Sequence, residues 1–350
     1  MKIYVTSCET GQGAWRHQEE LLKGLWQISS RRHSLCDSPD EADFIVIGNL
    51  REENGYQSLR ENPLVTRFAN KCFAISETDE PFPLLRGVYT SAYRGLYTLS
   101  RFRSGAYNLY HPDFRNPHVE RHPGDAFNQT KKYLYSFVGR RCHPVRERFL
   151  ACGTRRPDVL IQDTSHFNLF THDQNGKDAQ QLEFTRIVES SKFVLCPRGN
   201  GAASIRLFEA MKMGVAPVII SDDWLLPRGP NWAEFALFIR EKDIDRLDEI
   251  VSGHEGRFQR MGQKAAEAHA RFFADDVYFD FLVEQLRDIR DHQVIPEAFF
   301  WKVRNALAFW ARLKNAARRR ISVQPAEQRK AKTPVDSALQ TSSSTEASTP

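Results

Sequence analysis

A turn that contains two glycines, between a buried strand and a helix, is the segment of this 350-residue sequence with the clearest potential for chemistry. Apolar residues 193–196 predict the strand, residues 204–213 predict the helix, and Gly199 and Gly201 lie between them. Glycine adopts left-handed backbone angles and lets a ligand approach the main chain closely. Because the start of a helix presents unpaired N–H groups and the positive end of its dipole, this turn is suited to hold a phosphate.

Charged side chains flank the turn. Arg198 precedes it, and Arg206 lies in the first turns of the helix. Guanidinium groups donate to phosphate oxygens in pairs, so either arginine could bind a diphosphate. Glu209 follows Arg206 by three residues on the same helix face, where its carboxylate could accept hydrogen bonds from two vicinal ribose hydroxyls. The alternative is an ordinary strand–turn–helix unit with a surface Arg–Glu pair that contributes less than about 1 kcal/mol.

The elements that must position this turn alternate along the chain. The predicted strands lie at residues 3–6, 44–48, 72–76, 133–138, 159–162, 193–196 and 217–220, and the predicted helices at 16–29, 56–69, 144–152, 179–190, 204–213, 244–250 and 255–290. Short apolar strands separated by helices are typical of parallel sheets covered on both faces. We therefore predict an α/β fold with two Rossmann-like domains, over residues 1–110 and 133–292, joined by a proline-rich linker at 111–132.

Composition excludes several classes of protein. The net charge is +5, and seven basic residues without an acid lie at residues 299–320, so the rest of the chain carries 5 − 7 = −2. This balance argues against a general nucleic-acid-binding surface. The six cysteines form no Cys-x-x-Cys pair, which is typical of a reducing compartment and gives no support for a zinc site. No apolar run approaches the ~20 residues of a spanning helix, and we expect a cytoplasmic protein.

Four segments in a fixed order resemble one known family. Residues 193–199, 204–210, 214–227 and Asn231-Trp232 are similar to the exostosin family, glycosyltransferase family 47. A weaker similarity at residues 136–140 extends the resemblance over roughly residues 133–250. The resemblance implies the GT-B architecture of two facing Rossmann-like domains. It also implies metal-independent, inverting transfer of a sugar from a nucleotide-diphosphate donor, expected to be UDP, to a saccharide or glycolipid acceptor.

The resemblance assigns donor binding to the second domain and acceptor binding to the first. It implies that Glu209 holds the ribose and that Arg206 contacts the diphosphate, with Arg198, Gly199, Gly201 and Ser204 in the same loop. Gly139 and Arg140 with Arg141 resemble a second phosphate-facing loop, and Arg146 lies one helical turn further on. For Arg140, Arg141, Arg146 and Arg148 the alternative is a solvated basic face. Trp224 and Trp232 are expected in the core or a lid.

No cofactor and no metal are expected. Asp222 and Asp223 are adjacent on an extended chain, where their side chains point to opposite faces. The leaving diphosphate must then be stabilised by arginines, with Arg206 foremost, and by a helix N-terminus. Inversion also requires a base on the first domain, for which Glu77 and Asp79, after the strand at 72–76, are the candidates. The opening loop at 7–13 lacks the last glycine of a dinucleotide motif, because Arg16 occupies that position.

A basic amphipathic helix is predicted at residues 295–320, followed by a disordered tail at 321–350. Apolar residues recur on one face of this helix, namely Phe299, Phe300, Val303, Leu307, Trp310, Leu313 and Ala317. This pattern favours a helix in the interface of an anionic membrane on its inner face, and the alternative is a terminal helix that packs on the fold. Three other functions stay open: a nucleotide-sugar-binding pseudo-enzyme, a membrane-associated scaffold, and a retaining transferase or epimerase of the same architecture.

Overall fold

The computed structural model describes residues 1–8, 17–50, 56–79, 84–94, 100–110, 112–152, 156–167 and 174–309. The chain divides into two compact units, residues 1–305 and 306–350. The first unit contains both sheets. In the second unit only residues 306–309 are described, so residues 310–320 of the predicted basic helix and the predicted tail at 321–350 lie outside the described residues.

A six-stranded parallel sheet forms the first half of the fold, with the strand order β2-β1-β3-β4-β5-β6. Its strands are β1 (Lys2–Ser7), β2 (Ser34–Leu35), β3 (Phe44–Gly48), β4 (Cys72–Ser76), β5 (Gly87–Tyr89) and β6 (Phe102–Arg103), and its helices are α1 (His17–Ile28), α2 (Gln57–Arg60) and α3 (Pro63–Phe68). All residues of β3 and β4 are buried, as expected for central strands with helices on both faces.

A five-stranded parallel sheet forms the second half, with the order β11-β10-β9-β7-β8. After α4 (Pro117–Glu120) come β7 (Tyr133–Gly139), α5 (Pro144–Cys152), β8 (Val159–Asp163), α6 (Gln174–Glu189), β9 (Ser191–Pro197), α7 (Ile205–Met213), β10 (Ala216–Ile220), β11 (Leu237–Phe238), α8 (Leu247–Ser252) and α9 (Phe258–Phe272). Helices α10 (Asp275–His292) and α11 (Glu297–Lys302) follow, and residues 304–309 are helical as well. Two parallel sheets with surrounding helices confirm the predicted α/β fold of GT-B type.

Local residues explain where the helices differ from the prediction. The helix predicted at 56–69 is two short helices, because Asn62 caps α3 through its side chain and Pro63 occupies the first helical position. The helix predicted at 255–290 is interrupted before α10, where Ala274 is extended. Helix α10 then packs against α1, β5 and β6, so the C-terminal part of the residues assigned to the second domain covers the first sheet.

The two halves share one continuous apolar core. Trp224 and Trp232, both buried, lie 5.9 Å apart between ring centroids, and Trp224 donates from Nε1 to the carbonyl of Thr90 in the first half. Main-chain bonds join the same segments, since the N–H of Leu225 donates to the carbonyl of Ala92 at 2.8 Å. The two tryptophans are therefore core residues that fasten the second half to the first. Within the described part of the chain, no helix has the length and apolar character to cross a bilayer.

Candidate active site

A cleft of about 600 Å³ opens where the carboxyl ends of the strands from both sheets converge. Its lining residues follow β4 of the first sheet and β7, β8 and β9 of the second. This is the edge at which parallel α/β sheets bind their ligands. Nine predicted site residues line the cleft together: Glu77, Asp79, Gly139, Arg140, Arg146, Gly199, Ser204, Arg206 and Glu209.

Arg206 enters the cleft as a partly buried cation without an ionic partner among the described residues. Its Nε is buried without a hydrogen bond, and its Nη1 donates weakly to Ser204 Oγ at 3.4 Å. The guanidinium carbon lies 5.0 Å from the centre of the Phe137 ring. Burial lowers the pKa of Arg206, since a desolvated cation is disfavoured. An unpaired cation in this position favours an anionic ligand.

Gly139, at the end of β7, is the residue that makes room for Arg206. A Cβ at position 139 would lie 2.6 Å from Arg206 Nη2 and 2.8 Å from the ring of Phe137. The absence of a side chain at Gly139 therefore allows the guanidinium of Arg206 to occupy this position, in addition to any contact of the glycine with a ligand.

Glu209 lies one helical turn after Arg206 on α7, and its carboxylate makes no hydrogen bond or ion pair with a described residue. Burial raises its pKa to about 7, and the charge of Arg206 partly opposes this rise. The surface Arg–Glu pair considered above as the alternative is thus absent between these two described residues. Both side chains are left to bind other partners from the cleft.

The loop before α7 is shaped differently from the prediction. Neither Gly199 nor Gly201 adopts a positive φ, so the loop does not use the left-handed backbone angles that glycine allows. Gly201 does not line the cleft; a Cβ there would lie 2.4 Å from Ser91 Oγ and 2.9 Å from Asp79 Oδ1. The glycine lets this loop touch the first half of the fold. Ser204 is the N-cap of α7 but makes no side-chain cap bond, so its hydroxyl stays available in the cleft.

Arg146 uses its guanidinium to hold the two loops together. Nε donates to the carbonyl of Arg198 at 3.0 Å, Nη2 to that of Pro197 at 3.1 Å, and Nη1 to that of Arg140 at 3.4 Å. The side chain is buried, and Gly199 packs against it with 3.2 Å between an added Cβ and Nη2. Arg146 lines the cleft, but most of its donors are occupied by the backbone that surrounds the cleft.

The other predicted arginines separate into two kinds. Arg140 is exposed and lines the cleft, whereas Arg141 pairs with Asp163 at 2.6 Å and Arg148 with Asp245 at 3.1 Å. Arg198 is not among the lining residues, although its Nε is buried without a partner. The solvated-face alternative thus describes Arg141 and Arg148, and the cleft retains Arg140 and Arg206 as free cations.

Glu77 is held at the first-sheet side of the cleft. Its Oε1 accepts from the N–H of Leu109 at 2.7 Å, and its Oε2 is buried with no partner. Burial raises the pKa of Glu77 from its ordinary 4.5 to about 8, and the Leu109 bond and the charge of Arg115 moderate this rise. Asp79, two residues on, is exposed and lies against Gly201. The two candidate bases therefore differ. Glu77 has a raised pKa and an oxygen without a hydrogen-bond partner, whereas Asp79 lies where the two halves of the fold meet.

Several lining residues were not predicted from sequence. Aromatic side chains line the cleft from the segment between the halves and from the second half: Tyr107, Tyr110, Phe114, Phe167 and Phe184. Burial and the nearby charges of Asp79, Glu77 and Glu209 raise the pKa of Tyr110, which places this ring among the three acids. Tyr107 and Tyr110 fall in the predicted first domain, where no strand was predicted directly before them, and Phe114 falls in residues 111–132, which were interpreted only as a linker. Among the described residues, no group of three or more His, Cys, Asp or Glu side chains is arranged to hold a metal ion.

The fold and cleft define a two-sheet α/β protein with a cleft between its halves, lined by a cation that has no ionic partner among the described residues. Residues 93–253 match the family model of the Exostosin GT47 domain. The matched segment begins 40 residues before residue 133, where the resemblance found in the sequence begins. This match covers slightly less than half of the chain, and over these residues the chain is similar to the exostosin family. The match also includes Tyr107, Tyr110 and the rest of the segment that joins the two sheets.

The chain is similar to several curated proteins and solved structures. The chain is 28% identical over 144 residues to the Exostosin-1 homolog of Caenorhabditis elegans, covering 36% of this chain and 37% of that protein. It is 27% identical over 138 residues to Exostosin-1 of Drosophila melanogaster, covering 36% of this chain and 18% of that protein. The chain thus spans well under half the length of these relatives. A glycosyltransferase structure from Rickettsia africae matches 82% of this chain and 98% of its own at 10% identity, with a TM-score of 0.43.

Proposed function

We propose that the protein is an inverting, metal-independent glycosyltransferase that moves a sugar from a nucleotide-diphosphate donor, UDP by preference, to a saccharide or glycolipid acceptor. The main support for this proposal is that three charged residues line the same cleft. Arg206 and Glu209 on α7 make no ion pair with a described residue, and Glu77, whose carboxylate is buried, lies on the first-sheet side. The names of the relatives, exostosin among them, support the same class of activity.

The donor binds on the second half of the fold. Glu209 accepts hydrogen bonds from the two ribose hydroxyls, and Arg206 donates to the diphosphate. Arg140 and the hydroxyl of Ser204 lie in the same cleft and supply further donors to the phosphate oxygens. Arg146 binds the carbonyls of both surrounding loops and so fixes their positions before the donor arrives. This arrangement is complete before the reaction, as electrostatic stabilisation of a leaving group requires.

Transfer needs a base that removes the proton of the acceptor hydroxyl. Glu77 Oε2 is the free oxygen of a carboxyl group whose pKa lies at about 8, close to the pH at which a general base works well. The proton passes to Glu77 while the acceptor oxygen bonds to the anomeric carbon. The bond from that carbon to the diphosphate oxygen breaks on the opposite face, and the nucleoside diphosphate leaves with its charge held by Arg206. We assign Asp79 to the junction with Gly201 rather than to proton transfer.

The direct test is turnover of a panel of UDP-sugars by the full chain, with UDP release measured in the presence and absence of a saccharide acceptor. Activity should be unchanged by EDTA, and NMR of the product should show inversion at the anomeric carbon. Arg206→Lys should lower kcat more than donor affinity, because a point charge replaces a planar pair of donors. Donor binding without turnover would support a nucleotide-sugar-binding pseudo-enzyme. Retention of the anomeric configuration would contradict the role of Glu77 as the base that activates the acceptor. Loss of activity in EDTA would contradict stabilisation of the leaving diphosphate by arginine alone.

A further inference from the structure

Helix α11 is clamped to the first half of the fold by a buried ion pair. Glu297, which is 0% exposed, accepts from Arg101 at both oxygens, at 2.6 Å and 2.9 Å. The main-chain N–H of Arg86 and the side chain of Gln293 donate to the same carboxylate. Trp301 is buried and donates from Nε1 to Thr66 Oγ1 at 3.3 Å. These contacts fix the rotation of α11 about its own axis.

Phe299 on α11, with Val294 before the helix and Val303 at its C-terminal end, is a large apolar side chain exposed to solvent. Val294 is 82% exposed, Phe299 55% and Val303 39%, and the cationic Lys302 is exposed beside them. We name Val294, Phe299, Lys302 and Val303 the α11 surface. Large exposed apolar residues are few elsewhere in the described first unit, where Ile28 and Phe238 are the two others. Exposed apolar side chains gathered on one short segment indicate a surface that binds something.

Charge selects what this surface binds. Glu297 is the one acidic residue in the sequence between 293 and 320, and its carboxylate is buried and neutralised by Arg101. The sequence that continues from α11 carries seven Lys and Arg residues between 299 and 320. The described α11 surface thus presents apolar side chains and Lys302 to solvent, and the sequence that follows it is basic and contains no acid up to residue 320. Apolar residues with basic neighbours bind the headgroup region of anionic bilayers.

We propose that the α11 surface docks the protein on an anionic membrane, which the basic sequence after it also favours by its charge. Phe299 and Val303 enter the headgroup boundary, and Lys302 contacts anionic lipid. The buried clamp at Glu297 serves this docking because it holds the apolar side chains outward without a partner protein. The proposal does not depend on transferase activity, and it holds for a scaffold as well as for an enzyme.

The test is co-sedimentation of the full chain with vesicles of equal parts phosphatidylcholine and phosphatidylserine, compared with pure phosphatidylcholine vesicles. The wild type should bind the anionic vesicles at low salt and be released at high salt. The double variant Phe299→Glu and Val303→Glu should bind them about ten-fold more weakly, since two apolar side chains are lost and two acids gained. Ile28→Glu, a matched change at a side chain that is 57% exposed on α1, should bind as the wild type does.

Circular dichroism and the melting temperature establish that each variant is folded. Equal binding by the double variant, an equal loss in Ile28→Glu, or absence of wild-type binding overturns the proposal. Light scattering of the lipid-free protein measures its oligomeric state. A dimer that the double variant dissociates would assign the α11 surface to a second copy of the chain instead of a membrane.

Discussion

The guanidinium of Arg206 rests against the Cα of Gly139, so closely that a Cβ there would lie 2.6 Å from Nη2. These two residues come from different strand–helix units of the second sheet, β7 and α7. The glycine at the end of β7 thus sets where the cation of α7 can sit. We expect the geometry of the leaving-group site to depend on Gly139 as much as on the arginine itself.

Gly139→Ala should therefore lower kcat about ten- to hundred-fold, because displacement of a reacting-site group by about 1 Å is enough for such a loss. Kinetics at saturating donor measure the effect, and circular dichroism reports whether the variant is folded. Gly24→Ala is the matched control, since nothing lies within 4 Å of a Cβ at that position in helix α1. It should keep full activity and gain about 0.5–1 kcal/mol of stability. Full activity in folded Gly139→Ala would show that the position of Arg206 does not matter for the reaction.

We expect Glu77 to give the activity its pH dependence. The base acts as a carboxylate, and its pKa is raised to about 8, so kcat/KM should rise with pH through that value and level off above it. Glu77→Gln should lose this rise and about 100-fold or more in kcat. A pH–rate profile of both proteins measures this. Asp79→Asn, the matched change two residues away, should keep the ascending limb; if it loses the limb and Glu77→Gln keeps it, the roles of the two acids are reversed.

The same carboxyl group should lower the stability of the fold at high pH. The folded state binds the proton more tightly than the unfolded chain, whose Glu77 titrates near its ordinary 4.5. The free energy of unfolding therefore falls as pH rises from about 4.5 to about 8, apart from other groups. Glu77→Gln should be more stable than the wild type above this range by about 1–3 kcal/mol, because no charge is left buried. Urea unfolding across pH gives the measurement, and parallel curves for the two proteins would refute the raised pKa.

Arg146 should act through the loops that it holds. A lysine cannot make the separate bonds to the carbonyls of Arg198, Pro197 and Arg140, so Arg146→Lys should raise donor KM and lower kcat together, each about ten-fold. Arg148→Lys is the control, because Arg148 is half-exposed and pairs with Asp245. Steady-state kinetics of both variants decide the point. A change in kcat alone in Arg146→Lys would instead indicate a direct contact with the leaving group.

The sequence predicted most central strands because they are short, apolar and bounded by clear breaks. β3, β4 and α5 have the predicted bounds, whereas β2, β6 and β11 were missed because two-residue strands leave no periodic pattern. The cleft residues Arg206 and Glu209 were predicted because they lie in a strand–turn–helix motif that the sequence shows clearly. The structural use of Arg146 and of Gly139 could not be predicted, since each depends on a contact between units that are distant in sequence. Helix α10 was placed with the second domain for the same reason.

The central claim is that Glu209 holds the ribose of a nucleoside diphosphate. Isothermal titration calorimetry with UDP and with 2′-deoxy-UDP tests it most directly, on the wild type, on Glu209→Gln and on Glu183→Gln, an exposed glutamate of α6. The wild type and Glu183→Gln should bind UDP about ten-fold more tightly than the deoxynucleotide, because one charge-assisted hydrogen bond to a hydroxyl is lost. Glu209→Gln should bind both nucleotides equally weakly. If folded Glu209→Gln still prefers UDP as strongly as the wild type does, the ribose assignment is wrong.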